Sequence, residues 1–410
     1  MPTFINTSLL CVLAALAQPN LASQIASGYV TVPLIRNSQL LAYLAEFSVG
    51  TPPQKNYLKV DTGSPTISFY ESRSDFCNLP RAPCAEYGSY DNTSSSTSKY
   101  KAPFFNNGLI SFGSGDFLTD TIGVGGVSMS NITVGHLTKV GRPERIYGSA
   151  ASIAGFGLTC SEGEKGPSCT EDGAYLLPQL KNTSTIDRMA VNFYLGPEDN
   201  NVTNAEMILG AAYDEAKLGG ELFTIDMVDP ASFLSNQGTN WVNVTAIEAE
   251  VDGITAKVTY GSGSLSEGMP YGVDTGAPYW GLSASLFSLV SSKFGGLNAQ
   301  TSFGTYLVDC KYGHQENANG SIAVTFGSAG KIEVPLHTLV TDFGNGTCTT
   351  AVGNYESRLL GDIFLRNTYS IFDQESFTVS LAQVKHTEER RIVPYPEGGF
   401  KVAKRSIEGA

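Results

Sequence analysis

The chain carries one short motif twice. Val60-Asp61-Thr62-Gly63-Ser64-Pro65 recurs as Val273-Asp274-Thr275-Gly276-Ala277-Pro278. A single Asp-Thr-Gly is an ordinary turn signal, because an aspartate side chain readily bonds its own backbone two residues on. The repeat constrains much more, since each copy is followed at a comparable distance by two apolar residues and a glycine. Ile153-Ala154-Gly155 follows Asp61, and Leu359-Leu360-Gly361 follows Asp274. Two halves with the same internal order predict duplicated β lobes, each presenting one aspartate at a turn.

The length agrees, since 410 residues exceed what one ordinary core organises. Hydrophobic residues at 41% and charged ones at 16% describe a globular protein, and 44 glycines suit many short strands joined by tight turns. A formal charge of −13 excludes nucleic acid and anionic membrane as natural partners.

Ser8 to Ala17 is an apolar run ending in Ala15-Leu16-Ala17, so residues 1–17 read as a secretory signal peptide, although the preceding segment lacks Lys or Arg. The run is too short to span a bilayer, and no later one reaches about 18 apolar residues. The polar, slightly basic tail at 386–410 carries no lipid-anchor signal.

With Cys11 inside the signal, Cys77, Cys84, Cys160, Cys169, Cys310 and Cys348 remain, an even set that suggests three bridges in an exported chain. They show no CxxC spacing and no nearby His pairs, so no metal site is expected. Asn-x-Ser/Thr acceptors stand at Asn92, Asn131, Asn182, Asn201, Asn243, Asn319 and Asn345, again favouring a secretory route.

Other chemistries fall away. His136, His314, His337 and His386 form no HExxH pattern, and no GxSxG elbow occurs. Gly327-Ser328-Ala329-Gly330-Lys331 lacks Walker spacing and reads as a hairpin turn. No cofactor is expected.

From about Leu41 to Leu381 the chain resembles the pepsin family of aspartic proteases, in particular a fungal secreted branch. Beside the two Asp-Thr-Gly motifs, Glu46 to Gln54 resembles the strand and turn before the first catalytic motif. Gly88-Ser89-Tyr90-Asp91 with Ser94 to Thr97 resembles the family's loop after its first disulfide, and Leu360 to Arg366 through Phe372-Asp373 its C-terminal signature.

The resemblance implies a mostly antiparallel β protein of two lobes with a central cleft. It implies an endopeptidase of peptide or protein substrates at acidic to mildly acidic pH, secreted, and expected to be a monomer. Asp61 and Asp274 would share a proton, one activating a water while the other polarises the scissile carbonyl. Gly63 and Gly276 would allow close backbone approach, and the Thr62 and Thr275 hydroxyls would tie the loops together. Ser64, Gly155 and Gly361 would support them. Leu109 to Phe117 would be the hairpin over the cleft, with Phe112, Gly113 and Ser114 at its tip beside substrate. Resemblance and local spacing suggest the pairings Cys77–Cys84 and Cys310–Cys348, leaving Cys160–Cys169, although six cysteines allow 15 connectivities.

Departures from the family pattern stand out. Its flap tyrosine is Phe112 here, and the tryptophan that receives its hydroxyl is Ser68, so both partners of one hydrogen bond are lost together and no orphan donor is expected. The hydroxyl after the second Asp-Thr-Gly is replaced by Ala277. Residues 18–45, in which Arg36 is the sole charge, read as a short propeptide or an N-terminal strand, with secreted protein beginning near Gln18. The lobes are expected at 46–215 and 216–385. Ala277 and the altered flap also leave open a pepsin-like binding or inhibitor protein with weak or no catalysis.

Overall fold

The computed structural model describes residues 28–38, 40–78, 84–106, 113–139, 152–158, 173–197, 204–229, 238–261, 268–301, 304–354 and 358–402. Strands dominate, as the resemblance implies, and the described helices are short, the longest spanning Ala284–Lys293. None is long and apolar enough to cross a membrane.

Period-two burial explains the peripheral strands. Along Ser114–Val124 the side chains of Leu118, Asp120, Ile122 and Val124 turn inward while their neighbours stay partly exposed. Gly320–Phe326 alternates likewise, burying Ile322, Val324 and Phe326. It returns into Gly330–Pro335, with Phe326 opposite Gly330, so the hairpin turn the sequence suggests is residues 327–329, and Gly330 and Lys331 already belong to the return strand. The strand Thr368–Asp373 is buried at every position, as a strand inside a large sheet must be.

Among the described residues, a sheet of 13 strands runs through the whole molecule. One end is built from second-half strands, Phe223–Asp226, Thr378–Gln383 and Thr368–Asp373. It continues through Ala190–Tyr194 and Glu206–Gly210 to Tyr29–Asn37, and then into the first-half strands. The segment left open between propeptide and strand is therefore built into the sheet at residues 29–37. An edge-to-face chain of rings, Phe156 to Phe193 to Phe372, seals this junction at centroid spacings of 6.0 and 5.9 Å.

The duplication is visible in the strand pairing. In the first half, Gln54–Asp61 runs parallel to Ile153–Gly155, which lies antiparallel to Ile67–Tyr70. In the second half, Met269–Val273 runs parallel to Leu359–Leu360, which meets Trp280–Leu282 through the pair Trp280 and Leu360. Each half thus threads its apolar-apolar-glycine segment beside the strand that ends at its own aspartate. Glycine is required there: a Cβ on Gly155 would sit 2.4 Å from the Thr66 nitrogen, and one on Gly361 2.1 Å from the Ala277 oxygen.

Disulfides join Cys77 to Cys84 and Cys310 to Cys348, while Cys160 and Cys169 lie outside the described residues. Of the sequon asparagines, Asn131, Asn182, Asn319 and Asn345 are exposed and Asn92 and Asn243 half-buried; Asn201 lies outside the described residues.

The Ser68 expectation needs correction. Ser68 is fully buried, and its Oγ has no hydrogen-bond partner among the described residues. Its backbone is committed to pairing with Gly135 and Ile153, so the hydroxyl points into an apolar interior. Among the described residues the serine hydroxyl thus stands without a partner, where the sequence reading expects no orphan donor.

Burial also sets how stability responds to pH. Glu206 is pushed up to about 7 by desolvation, which outweighs the Arg390 guanidinium 2.9 Å away. Asp362 is pushed up to about 6 for the same reason despite its buried ion pair with Arg36 at 3.0 Å. Both carboxyls hold a proton in the folded chain at pH values where the unfolded chain has released it, so stability falls as pH rises from about 4 to 7. Thermal unfolding should therefore show a higher Tm at pH 5 than at pH 7.5. Glu206→Gln should flatten that slope; an unchanged slope would remove Glu206 from the account.

Candidate active site

The two aspartates end equivalent strands, and pleating decides where they point. Along Gln54–Asp61 the side chains of Asn56, Leu58 and Val60 enter the core, which leaves Tyr57, Lys59 and Asp61 on the opposite face. Asp274 follows Met269–Val273 directly. The turns then bring the two carboxyl groups side by side, so that a single Cβ built on Gly276 would meet both Asp61 Oδ1, at 2.4 Å, and Asp274 Oδ1, at 3.1 Å. A Cβ on Gly63 would lie 2.4 Å from Asp274 Oδ2, and one on Gly276 2.4 Å from Asp61 Oδ1. Each glycine thus leaves room for the other half's carboxylate.

Threonine hydroxyls fasten the loops reciprocally. Thr62 Oγ1 donates to the Val273 carbonyl at 2.8 Å and accepts from the Thr275 amide at 3.0 Å. Thr275 Oγ1 donates to the Val60 carbonyl at 3.0 Å and accepts from the Thr62 amide at 3.1 Å. Both threonines are buried, so each hydroxyl uses its donor and an acceptor position on the opposite half. The threaded segments pin the loops from below: the Phe156 amide bonds Asp61 O at 2.7 Å, and the Asp274 amide bonds Leu360 O at 3.1 Å.

The symmetry breaks at the carboxyls. Asp61 accepts from the Gly63 amide at 2.8 Å and from Ser64 Oγ at 2.7 Å. Asp274 accepts from the Gly276 amide at 2.7 Å, and residue 277, the counterpart of Ser64, is a buried alanine with no hydroxyl to give. Desolvation pushes Asp274 well above the ordinary carboxylate range; the Asp61 charge adds to this, while Lys59 and the Gly276 amide oppose it. The pair therefore holds a proton on Asp274 across a broad acidic range.

Several supporting residues escape a motif-level reading. Thr239 Oγ1 donates to Gly63 O at 2.9 Å, and Asn240 Nδ2 donates to Thr62 O at 3.0 Å and Phe156 O at 3.3 Å. Gln374 Nε2 reaches Gly157 O at 2.8 Å. These second-half side chains buttress the first loop over sequence separations that no spacing rule reveals. Lys59 Nζ donates to Gly276 O at 3.0 Å. Its signal was present, since it stands two residues before Asp61 and shares its strand face.

Beside the expected hairpin, Lys99–Asn106 pairs with Ser114–Val124, with Asn106 opposite Ser114, so Ser114 belongs to a paired strand rather than to a tip, and residues 107–112 lie outside the described residues. Gly113 is buried at φ 122°, in the left-handed region that favours glycine, and Ser114 begins the return strand. Phe112 lies outside the described residues. Among the described residues, Cys310, Asp342 and Cys348 are the acidic or sulfur groups close enough to cradle a metal, but the two sulfurs are joined in the disulfide.

Comparison with known proteins agrees with this geometry. Residues 42–384 match the profile of the eukaryotic aspartyl protease family. The chain is 29% identical over 359 residues to an acid protease of Saccharomycopsis fibuligera, covering 84% of this chain and 81% of that protein. It is 27% identical over 380 residues to secreted aspartic protease 3 of Candida albicans, covering 88% and 84%. It is 26% identical over 363 residues to aspartic proteinase yapsin-3 of Saccharomyces cerevisiae, covering 84% and 66%. Two copies of one aspartate loop, cross-tied by threonines and matched along most of the sequence, place this chain in the eukaryotic aspartyl protease family.

Proposed function

We propose that the chain is a secreted aspartic endopeptidase that hydrolyses peptide bonds at acidic to mildly acidic pH, with Asp61 and Asp274 as its catalytic pair. The observation that carries the reading is the apposition of two carboxyls whose loops are locked together from both halves. Secretion rests on the apolar N-terminal run, the sequons and the printed names of secreted relatives. The signal at 1–17, the lobes at 46–215 and 216–385 and a monomeric state belong to the same proposal.

The chemistry follows from the asymmetry. Asp274, protonated, donates its proton to the carbonyl oxygen of the scissile bond. Asp61, which accepts from Gly63 and Ser64, takes a proton from a water whose oxygen attacks the carbonyl carbon. The resulting diol expels the amine once the nitrogen receives the proton now on Asp61, and Asp274 recovers its own as the carboxylic acid forms. No protein atom bonds covalently to substrate. Gly113 and Ser114 would lie beside an extended peptide, as the family resemblance implies. An inert binding protein would need no shared proton, so the intact pair favours catalysis.

Asp61→Asn and Asp274→Asn should each lower acid peptidase activity by at least about 10²-fold, since one proton acceptor or donor is lost. Both should keep or raise the Tm, because crowding between two carboxyls is relieved. Near-normal cleavage by either variant would sink the assignment.

Ala277→Ser should restore to Asp274 the donor that Ser64 gives Asp61. A hydroxyl bonded to the carboxylate favours its ionised form, so the bell-shaped profile of kcat/KM should move to lower pH. The shift should be about one pH unit or less, given about 1.5–3 kcal/mol for a charged hydrogen bond and an amide already in place. An unmoved or upward profile in a folded, active variant would contradict it.

A further inference from the structure

The two halves differ at a second point beside the dyad. Two residues before Asp61 stands Lys59, whereas two residues before Asp274 stands Gly272. Lys59 lies on the strand face that carries Asp61, and its ammonium crosses to the other half to donate to Gly276 O at 3.0 Å. That carbonyl belongs to the loop whose amide holds Asp274 Oδ1. A cation is thus fixed to the same three-residue turn that positions Asp274, on the side where no hydroxyl is supplied.

The coincidence of the two departures is the informative part. Asp61 receives a short hydroxyl bond from Ser64, and Asp274 receives none from Ala277. Desolvation and the facing Asp61 charge raise Asp274 well above the ordinary carboxylate range even with Lys59 in place, so loss of that cation would raise it further. We propose that Lys59 is a positioning residue for the dyad: its ammonium clamps the Gly276 carbonyl across the two halves and gives Asp274 the counter-charge that Ala277 does not replace with a hydrogen bond. The idea rests on the reading of Asp61 and Asp274 as a working pair.

Electrostatics agree with the geometry. Lys59 is the leading charge that opposes the upward push on Asp274, and it acts in the same direction on Asp362. The other charged groups facing this region are accounted for. Asp61 repels from across the pair. Asp362 lies beneath the loop, its amide on Ala277 O at 2.8 Å, and is ion-paired to Arg36 from the strand Tyr29–Asn37. Arg366, from the turn after Asp362, is buried beside Arg36 and Tyr43, and the Tyr279 phenol faces Asp362. Lys59 combines a positive charge with a hydrogen bond to the Asp274 loop.

The test compares Lys59→Met, Lys59→Gln and Lys59→Arg in the full chain. The two uncharged variants should move the kcat/KM profile upward by about one pH unit, because the anion of the pair loses its neighbour. Lys59→Arg, which keeps charge and donors, should hold the profile within a few tenths of a unit. Adding Ala277→Ser to Lys59→Met should bring it back down. Carbon-13 NMR of labelled aspartate carboxyls, with the Asp274 signal assigned through Asp274→Asn, reads the same shift without any assay of cleavage. A wild-type protein that cleaves nothing would therefore count against the proposed function, while the NMR titration still decides the role of Lys59. An unshifted titration in folded Lys59→Met, or an arginine variant displaced as far as methionine, would overturn the proposal. So would failure of both uncharged variants to fold, which would make the contact structural.

Discussion

Two carboxyl groups pressed together with little water between them repel each other and lose hydration, so nothing in their own chemistry holds them in place. The rest of the scaffold answers that constraint. Four hydrogen bonds from two threonine hydroxyls and two amides tie each aspartate loop to the strand of the opposite half. Glycines at 63 and 276 remove the atoms that would collide with the opposing carboxyl. The threaded segments then anchor each loop to its own half. Remove any one of these and the carboxyls are free to separate.

The surrounding core makes the clamp rigid. The 13-strand sheet joins the two halves through strands that belong to neither aspartate loop, and the ring chain Phe156, Phe193 and Phe372 fills the seam. In the second half Trp280 is fully buried and packs edge-on to Phe364 at 5.8 Å, directly above the segment that pins Asp274. The buried Asp362 and Arg36 are tolerated beneath the loop because they pair with each other at 3.0 Å. The Arg36 guanidinium also lies 5.1 Å from the Tyr43 ring, which offers its face to the cation.

Asymmetry within a duplicated frame is the main functional message. The backbone repeats closely, from the parallel pairing beside each aspartate to the crossing of Ile67 and Trp280 against their threaded strands. The side chains do not: serine against alanine after the turn, lysine against glycine before it. A symmetric pair would leave the proton equally on either carboxyl. Unequal neighbours set the two carboxyls apart, as the proposed division into general acid and general base requires.

Sequence alone pointed to the pair and the duplication, because each rests on a pattern repeated in order; the bridges Cys77–Cys84 and Cys310–Cys348 it suggested only with the help of the family resemblance, and the fold shows them. Asp61, Asp274, both threonines and Gly155 and Gly361 were legible for that reason. It did not determine what holds them from a distance. Thr239, Asn240, Gln374 and the Arg36–Asp362 pair act across separations set only by the folded sheet, and their residue types are common enough to carry no signal of their own. The orphan hydroxyl of Ser68 likewise became visible only when strand pairing had fixed its surroundings. Lys59 lies between the two cases: its place on the Asp61 face follows from strand alternation, but that its charge reaches the opposite loop is a fact of tertiary structure. Local chemistry names the reacting groups, and only the fold decides which charges and dipoles surround them.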